Sequence, residues 1–310
     1  MKKYDLLVAG EINPDLILSG PDVLPQFGQI EKVVEAYTLT MGSSSVIFAS
    51  GAARLGLKVA FLGVVGDDLF GHYMLGEMQQ IGIDITHVII DPTIRTGLSL
   101  ILNTGEDRAI LTYIGAVSAL TGAHFSEGLI EQCSHLHVAS FFIQKHLRRD
   151  LARIFKKARS LGLSTSLDTN WDPEENWDGV EEVLMDTTIF FPNRAEAEAI
   201  TCERDIQKSL LLLSRRANFV ALKNGAQGGF AQSGEMKVKI NAPKVKVVDT
   251  VGAGDSFDAG FIYGFLQGWS LDRCLRLAVA CGSLSTQSSG GTNGQSSLEQ
   301  ALEVARQLHE

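Results

Sequence analysis

Short apolar runs alternate with amphipathic stretches along almost the whole chain. Leu6-Leu7-Val8-Ala9 predicts a strand ending at Gly10, and Ser43 through Leu55 predicts a helix of small residues stopped by Gly56. Val59 to Val65 reads as one buried strand, after which Gly66-Asp67-Asp68 caps a helix running to Gly82. Further strands are predicted at 136–140, 164–168, 189–191 and 219–223. Leu151, Ile154, Phe155, Ala158 and Leu161 mark one face of a helix that stops at Gly162. Helices at about 256–267, 271–287 and 297–308 close the chain. This alternation predicts a parallel sheet with helices on both faces.

Two segments break the pattern. Residues 15–39 and 96–113 lack helical periodicity and contain strand-like pieces such as Gly97-Leu98-Ser99-Leu100-Ile101-Leu102. Gly105-Glu106-Asp107 predicts a turn and Ala109–Ile114 a returning strand, so the second segment reads as a hairpin. Together they predict a small β-sheet projecting from the α/β body. No repeat, low-complexity tract or linker divides the 310 residues, which reads as a single domain spanning 1–310.

Composition narrows the function. A net charge of −9 argues against nucleic acid or an anionic membrane as partner, since both reward clustered Lys and Arg. No apolar run approaches the roughly 18 residues that span a bilayer. The apolar stretch after Lys2 and Lys3 is too short for a signal peptide. Cys133, Cys202, Cys274 and Cys281 are scattered without a C-x-x-C pair, so they read as reduced thiols of a cytoplasmic protein. His135 and His137 alternate along a predicted strand; without a third ligand nearby they read as packing or surface rather than metal.

The chemistry concentrates in Asp249-Thr250-Val251-Gly252-Ala253-Gly254-Asp255-Ser256-Phe257. Gly252, Ala253 and Gly254 lack bulk, so their N–H groups can crowd around one anion. A helix starting there adds unpaired first-turn amides and the positive end of its dipole. Asp255, in that first turn, cannot be an anion ligand; it makes sense as a proton acceptor for a hydroxyl attacking a phosphoryl group. The rival reading is a loop with a capping Asp.

The nine-residue string resembles the second signature of the ribokinase family, the PfkB-type carbohydrate kinases. That resemblance covers essentially the whole chain. It implies a ribokinase-like three-layer α/β/α fold with a central, mostly parallel sheet and a small β-sheet lid formed by about 11–39 and 95–115. It also implies an anion hole at Gly252, Ala253 and Gly254 and a catalytic base at Asp255.

Other segments fit the same family. Lys223-Asn224-Gly225-Ala226-Gln227-Gly228 resembles a K-x-G-x-x-G segment against the nucleotide, with a tight turn between strands as the rival. By the same resemblance, Thr250 and the loop around Asn293 lie on the nucleotide side. Asn193-Arg194-Ala195-Glu196 matches N-x-x-E, implying Mg²⁺ held through water; an Asn cap with a Glu capping-box partner is the alternative. Asp168-Thr169-Asn170 resembles a D-x-N element near the phosphates. Ligands gather at the carboxyl ends of such sheets, which makes these placements mutually consistent.

On the acceptor side, Asn13 and Asp15 resemble a pair that binds substrate hydroxyls, against the alternative of a solvated turn. Met41-Gly42-Ser43-Ser44-Ser45-Val46 occupies the place of the family's Gly-Gly-x-x-x-Asn signature. Met41 replaces the first Gly and Val46 the sugar-binding Asn, so Gly42 and the three serine hydroxyls are the substrate-binding candidates. Arg108 either reaches the acceptor or pairs with a neighbouring acid, and exposed pairing is the stronger of the two. The resemblance adds potassium beside the anion hole, held by Asp249 and carbonyls near 251 and 285–290, and a homodimer joined through the lid.

These features imply an ATP-dependent kinase acting on a hydroxymethyl group of a small sugar or sugar-like molecule. A nucleoside kinase resembling adenosine kinases is the nearest rival. A non-catalytic sugar or nucleotide sensor is disfavoured, because a sensor has no need of Asp255. Residues 11–45 hold Lys32 as their one basic residue, and the predicted hairpin offers Arg95 and Arg108, which favours an uncharged acceptor.

Overall fold

The computed structural model describes residues 2–105 and 107–309; Glu106, at the predicted hairpin turn, lies outside them. In chain order the strands are β1 (Tyr4–Ala9), β2 (Pro14–Ser19), β3 (Ala36–Met41), β4 (Val59–Leu62), β5 (Val64–Gly66), β6 (Ile89–Asp91), β7 (Leu98–Asn103) and β8 (Arg108–Tyr113). They continue with β9 (Cys133–Val138), β10 (Ser164–Leu167), β11 (Ile189–Phe190), β12 (Phe219–Lys223), β13 (Gly229–Ser233) and β14 (Met236–Ile240).

The central sheet runs β14-β13-β12-β11-β10-β9-β1-β4. Pairing is parallel from β4 through β12 and antiparallel only across β12-β13-β14. Its parallel strands are buried on both faces, as parallel sheets with helices on each side require. Leu6 and Val8 face one apolar layer, packed by helices Ser44–Arg54, Ala253–Leu266 and Leu271–Ser285. Leu7 and Ala9 face the other, packed by Leu151–Ser160 and Ile206–Leu213. The result is the three-layer α/β/α arrangement expected from the alternation. A second sheet, β3-β2-β7-β8, is built from the two segments that lack helical periodicity. Within it β7 and β8 pair antiparallel from Leu98↔Tyr113 to Asn103↔Arg108, the predicted hairpin.

One expectation needs correction. Val59–Val65 is two strands: β4 stays in the central sheet, while β5 leaves to pair with β6. The break is at Gly63, where any Cβ would lie 2.8 Å from the Gly10 carbonyl oxygen and from Ile12 Cδ1, so the chain can turn only there and only as glycine. The segment 225–229 is the turn of an antiparallel hairpin, β12 to β13, followed by β14 at the sheet edge.

His135 and His137 are buried in the sheet, bonded to Ser164 and Ser166, and His137 stacks on Phe48 with ring centroids 3.6 Å apart. Burial pushes the pKa of His135 down to about 3. Cys133, Cys274 and Cys281 are buried free thiols and Cys202 is exposed. No helix among the described residues is long and apolar enough to cross a membrane.

Candidate active site

The carboxyl ends of five neighbouring strands of the central sheet carry polar side chains onto one rim. β1 delivers Glu11 and Asn13, β9 delivers Ser140, β10 delivers Asp168 and Asn170, β11 delivers Asn193 and Glu196, and β12 delivers Lys223. The helix Ala253–Leu266 begins at the same rim.

That helix starts on Gly252, whose φ of 73° is left-handed. A Cβ there would fall 2.6 Å from the Gly291 carbonyl oxygen and 2.8 Å from Ile47 Cγ2, so backbone strain and packing both demand glycine. The first-turn amides have no carbonyl partner inside the helix. Asp255 sits in this first turn and is buried. Burial, then the charges of Asp168 and Glu11, push its pKa well above the ordinary carboxylate range; Lys223 and a hydrogen bond from Ser44 oppose them. A carboxylate so placed grips a proton far more readily than an exposed one, as a general base requires.

Lys223 is the counter-charge of the rim. Its Nζ lies 2.6 Å from Asp168 Oδ2 and 3.4 Å from Asp258 Oδ2, in nearly complete burial. Burial disfavours its charge, but Asp168, Asp258 and Glu196 outweigh it and raise its pKa. Its stem runs along the Gly252–Gly254 turn, since a Cβ on Gly254 would meet Lys223 Cδ at 3.3 Å. Asp258 was missed by the sequence reading, although its signal was there: it is polar three residues after Asp255 in an apolar helix, hence on the same face. Asp258 Oδ1 has no hydrogen-bond partner among the described residues.

Asn193 and Glu196 form the capping box in full. Glu196 accepts from the Asn193 N–H at 2.8 Å and from Asn193 Nδ2 at 2.6 Å, and the Glu196 N–H donates to Asn193 Oδ1 at 2.9 Å. Burial and the neighbouring Asp168 raise the Glu196 pKa to about 7. Gly225 and Gly228 both have positive φ in the hairpin turn, and a Cβ on Gly228 would fall 2.0 Å from the Ile240 carbonyl oxygen. The turn alone therefore accounts for these glycines. Thr250 is exposed on the approach to the anion turn, and Asn293 is an exposed loop residue whose Nδ2 donates to the Ser289 carbonyl.

On the acceptor side, Asp15 is a buried residue of β2, flanked by Thr40 and Ser99, so it does not sit in a solvated turn. Its carboxylate packs onto Gly42, where a Cβ would fall 2.1 Å from Oδ1. Burial raises its pKa to about 7 against the opposing pull of Ser99 and Arg108. Asn13 is buried beside it with Nδ2 3.4 Å from Ser99 Oγ. The three serines expected to offer hydroxyls to substrate are engaged within the protein. Ser43 Oγ donates to the Glu11 carbonyl and caps Val46 N, Ser45 Oγ donates to Glu11 Oε2 at 2.6 Å, and Ser44 Oγ accepts from Asn170 Nδ2 at 2.6 Å. Arg108 pairs with an acid, as the exposed-pair reading holds, but that acid is Asp249, three residues before the Gly252 turn, 4.0 Å away. Asp249 also accepts from the N–H groups of Val251 and Gly290 at 3.0 and 2.9 Å, stitching two loops together.

The pfkB family carbohydrate kinase pattern matches residues 5–298. The chain belongs to this family. A 2-dehydro-3-deoxygluconokinase of Bacillus subtilis is 30% identical over 305 residues, covering 92% of this chain and 93% of that one. Among solved structures, the adenosine kinase of Sinorhizobium meliloti superposes with a TM-score of 0.86 at 24% identity, covering 98% of this chain and 99% of that one. An E. coli structure in complex with ATP and Mg²⁺ reaches a TM-score of 0.87 at 23% identity, again over 98% and 99%. As a pfkB carbohydrate kinase, the protein is an ATP-using phosphotransferase.

The carboxylates of the rim suit the magnesium that accompanies ATP in that E. coli structure. Both Glu196 oxygens already accept from Asn193, yet each retains lone-pair capacity for a metal-bound water, and Asp258 Oδ1 has none of its own satisfied. The fit is therefore outer-sphere. A cavity of about 650 Å³ lies apart from this rim, between the loops that follow β9 and β10. Beside it Lys145 pairs with Glu174, and Arg148 donates to the Asp178 carbonyl while covering Phe142.

Proposed function

We propose that this pfkB kinase moves the γ-phosphoryl group of ATP onto a hydroxymethyl group of a neutral sugar or sugar-like acceptor. Asp255 removes the hydroxyl proton, and the backbone of Gly252, Ala253, Gly254 and Asp255 holds the transferring phosphoryl group. The observation that carries this reading is one buried carboxylate, with its pKa driven up, in the first turn of a helix that opens on a left-handed glycine. Charge developing on the phosphoryl oxygens meets oriented N–H groups there, while the base stands beside them. Lys223 keeps the surrounding acids from repelling the nucleotide. Gly225, Gly228, Thr250 and Asn293 line the nucleotide side, with Asn193 and Glu196 steering magnesium-bound water.

Asn13 and Asp15 take the acceptor hydroxyls beneath the small sheet, which serves as a lid. Arg108 is drawn to Asp249, so little free cationic charge faces the acceptor. A second reading, a sugar acid, is favoured by relatives named 2-dehydro-3-deoxygluconokinase and 5-dehydro-2-deoxygluconokinase. In that case the acceptor carboxylate competes with Asp249 for Arg108. The nucleoside alternative draws on the likeness to adenosine kinase. A potassium ion beside Asp249 would share its carboxylate with the two amides. The exposed apolar outer side of the lid, including Tyr37, Leu111 and Tyr113, supports pairing of two copies.

Asp255→Asn tests the proposal. Nucleotide affinity should stay within about twofold, while kcat falls about 10²–10⁴-fold. A variant keeping more than about a tenth of wild-type kcat excludes Asp255 as the base.

A further inference from the structure

The lysine that balances the rim also lies against the glycine turn. We propose that Lys223 is a catalytic residue, its ammonium donating to the transferring phosphoryl group beside the Gly252–Gly254 turn, and that Asp258 is the positioning residue that holds it there. The proposal rests on the reading of that turn as the holder of the phosphoryl group.

Donor arithmetic leaves the ammonium one proton to spend. Lys223 Nζ donates to Asp168 Oδ2 at 2.6 Å and to Asp258 Oδ2 at 3.4 Å, and its third proton has no acceptor among the described residues. Burial disfavours the charge, but Asp168, Asp258 and Glu196 outweigh it, so the group keeps all three protons. The opening of this cluster belongs to the lysine: 13% of its side chain is exposed, against 4% for Asp168 and 1% for Asp258. Gly254 shows where the ammonium lies. Its φ is not left-handed, so the backbone does not demand glycine there. The three atoms nearest to an added Cβ all belong to Lys223: Cδ at 3.3 Å, Nζ at 3.6 Å and Cε at 3.8 Å. Glycine at 254 thus leaves room for the lysine to lie on the turn. The Gly254 N–H is itself a first-turn amide with no partner inside the helix. Spare ammonium proton and unpaired amide sit together at one helix start.

Asp258 supplies the second anchor. Lys223 is the last residue of β12 and Asp168 follows β10, so their pair belongs to the sheet rim. Asp258 instead belongs to helix Ala253–Leu266, where it is buried one turn beyond Asp255. Its bond therefore ties the ammonium to the helix whose first turn is the phosphoryl site. A counter-charge for Asp168 needs only the 2.6 Å pair. The second carboxylate adds a buried acid whose Oδ1 has no hydrogen-bond partner among the described residues, a costly arrangement in the empty protein. Costs of this kind persist where a group fixes the geometry of a site. During transfer, charge spreads over the equatorial oxygens of the phosphoryl group, and a cation already fixed beside the turn amides meets it without reorganisation. Lys223 gives up no proton in this step; the hydroxyl proton goes to Asp255.

The experiment compares calorimetric binding of ADP with that of ADP plus tetrafluoroaluminate, a mimic of the transferring group, at fixed Mg²⁺ and with the best acceptor present. Wild type, Lys223→Met, Asp258→Ala and Asp258→Asn are measured, with kcat in parallel. Lys223→Met should lose about 10²–10³-fold in kcat, the effect of removing one charge-stabilising donor. Its affinity for the tetrafluoroaluminate complex should fall at least about tenfold more than its affinity for ADP alone. Asp258→Ala should show the same selective loss with kcat down about 3- to 30-fold, and Asp258→Asn, which keeps an oxygen for the ammonium, should restore most of it. Because Asp258→Ala leaves the Lys223–Asp168 pair in place, it carries the test if Lys223→Met does not fold. Equal losses for the two ligands would reduce Lys223 to a counter-charge and overturn the proposal. An Asp258→Asn variant as impaired as Asp258→Ala would remove Asp258 as its positioning residue. The two readings fail separately: tetrafluoroaluminate that tightens binding in wild type and equally in the variants removes only the lysine's role. A wild type that gains no affinity from tetrafluoroaluminate removes the phosphoryl site and the lysine's role together.

Discussion

The body rim and the lid edge each bury carboxylates, but they handle the charge differently. At the rim, Asp168, Asp258 and Glu196 surround one buried lysine, so negative charge is gathered and balanced in place. At the lid edge, Asp15 stands in nearly the same degree of burial with a serine for company and Arg108 only at a distance. Under the proposed function, the first arrangement suits a pocket that accepts a polyanionic nucleotide, because the acids there are neutralised before it arrives. The second leaves a carboxylate unsatisfied until a ligand brings hydroxyl donors to it. An unbalanced buried acid is costly in the empty protein and useful in the loaded one.

The rim should break most sharply. Lys223→Met leaves Asp168 and Asp258 buried without a counter-charge, and removing one partner of such a pair costs about 3–5 kcal/mol. Chemical denaturation should show a loss of that size at pH 7, shrinking as the pH falls and the stranded acids take up protons. A loss under about 1 kcal/mol would mean the lysine is not balancing them.

The lid edge should respond with the opposite sign. The Asp15 pKa of about 7 lies above its unfolded value, so its protonated form favours the fold. That contribution is complete below the unfolded pKa and is lost as the pH rises through about 7. Asp15→Asn mimics the protonated form and should stabilise the ligand-free protein at pH 8 by up to about 4 kcal/mol, with no gain at pH 4. Thermal melts at the two pH values check this, and equal stability at pH 8 would show that Asp15 carries no such strain. The same variant should lose acceptor affinity, which makes the strain functional.

The smallest expected effect separates the two roles of Glu196. Glu196→Gln keeps one oxygen for the Asn193 N–H and gives up the acceptor for Asn193 Nδ2, so the melting temperature should fall only modestly. If Glu196 also orients metal-bound water, the Mg²⁺ concentration giving half-maximal rate should rise about 3- to 10-fold. An unchanged Mg²⁺ titration leaves Glu196 as a cap alone.

Much of the fold was legible because its strongest signals are local. Apolar runs such as Leu6–Ala9 and Phe219–Lys223, with glycine stops after helices, identify a parallel sheet without any tertiary information. The Asp249–Phe257 string carried the glycine turn and the helix start in the same way, since small residues before an apolar helix have a direct geometric meaning. What escaped depends on contacts between distant segments. Gly63 looks like any glycine until Gly10 and Ile12 are seen to crowd it. The serines at 43–45 read as free hydroxyls, because nothing local says that Glu11 and Asn170 already occupy them. Arg108 and Asp249 are 141 positions apart in sequence yet pair between the small sheet and the loop before the Gly252 turn. Asp258 is the exception: its i+3 spacing from Asp255 was readable and was overlooked.

The central claim is that the rim is built for a nucleotide and the lid edge for neutral hydroxyls, and acceptor choice tests it most directly. ATP turnover should be measured against matched neutral sugars, sugar acids, sugar phosphates and nucleosides, with wild type and Asp15→Ala side by side. The account predicts the highest kcat/KM for a neutral acceptor with a free hydroxymethyl group. It also predicts a 10- to 150-fold loss in Asp15→Ala, the worth of about 1.5–3 kcal/mol of charged hydrogen bonding, with KM for ATP little changed. A preferred acceptor that carries a carboxylate or a phosphate, or an Asp15→Ala variant that keeps wild-type kcat/KM, would contradict it.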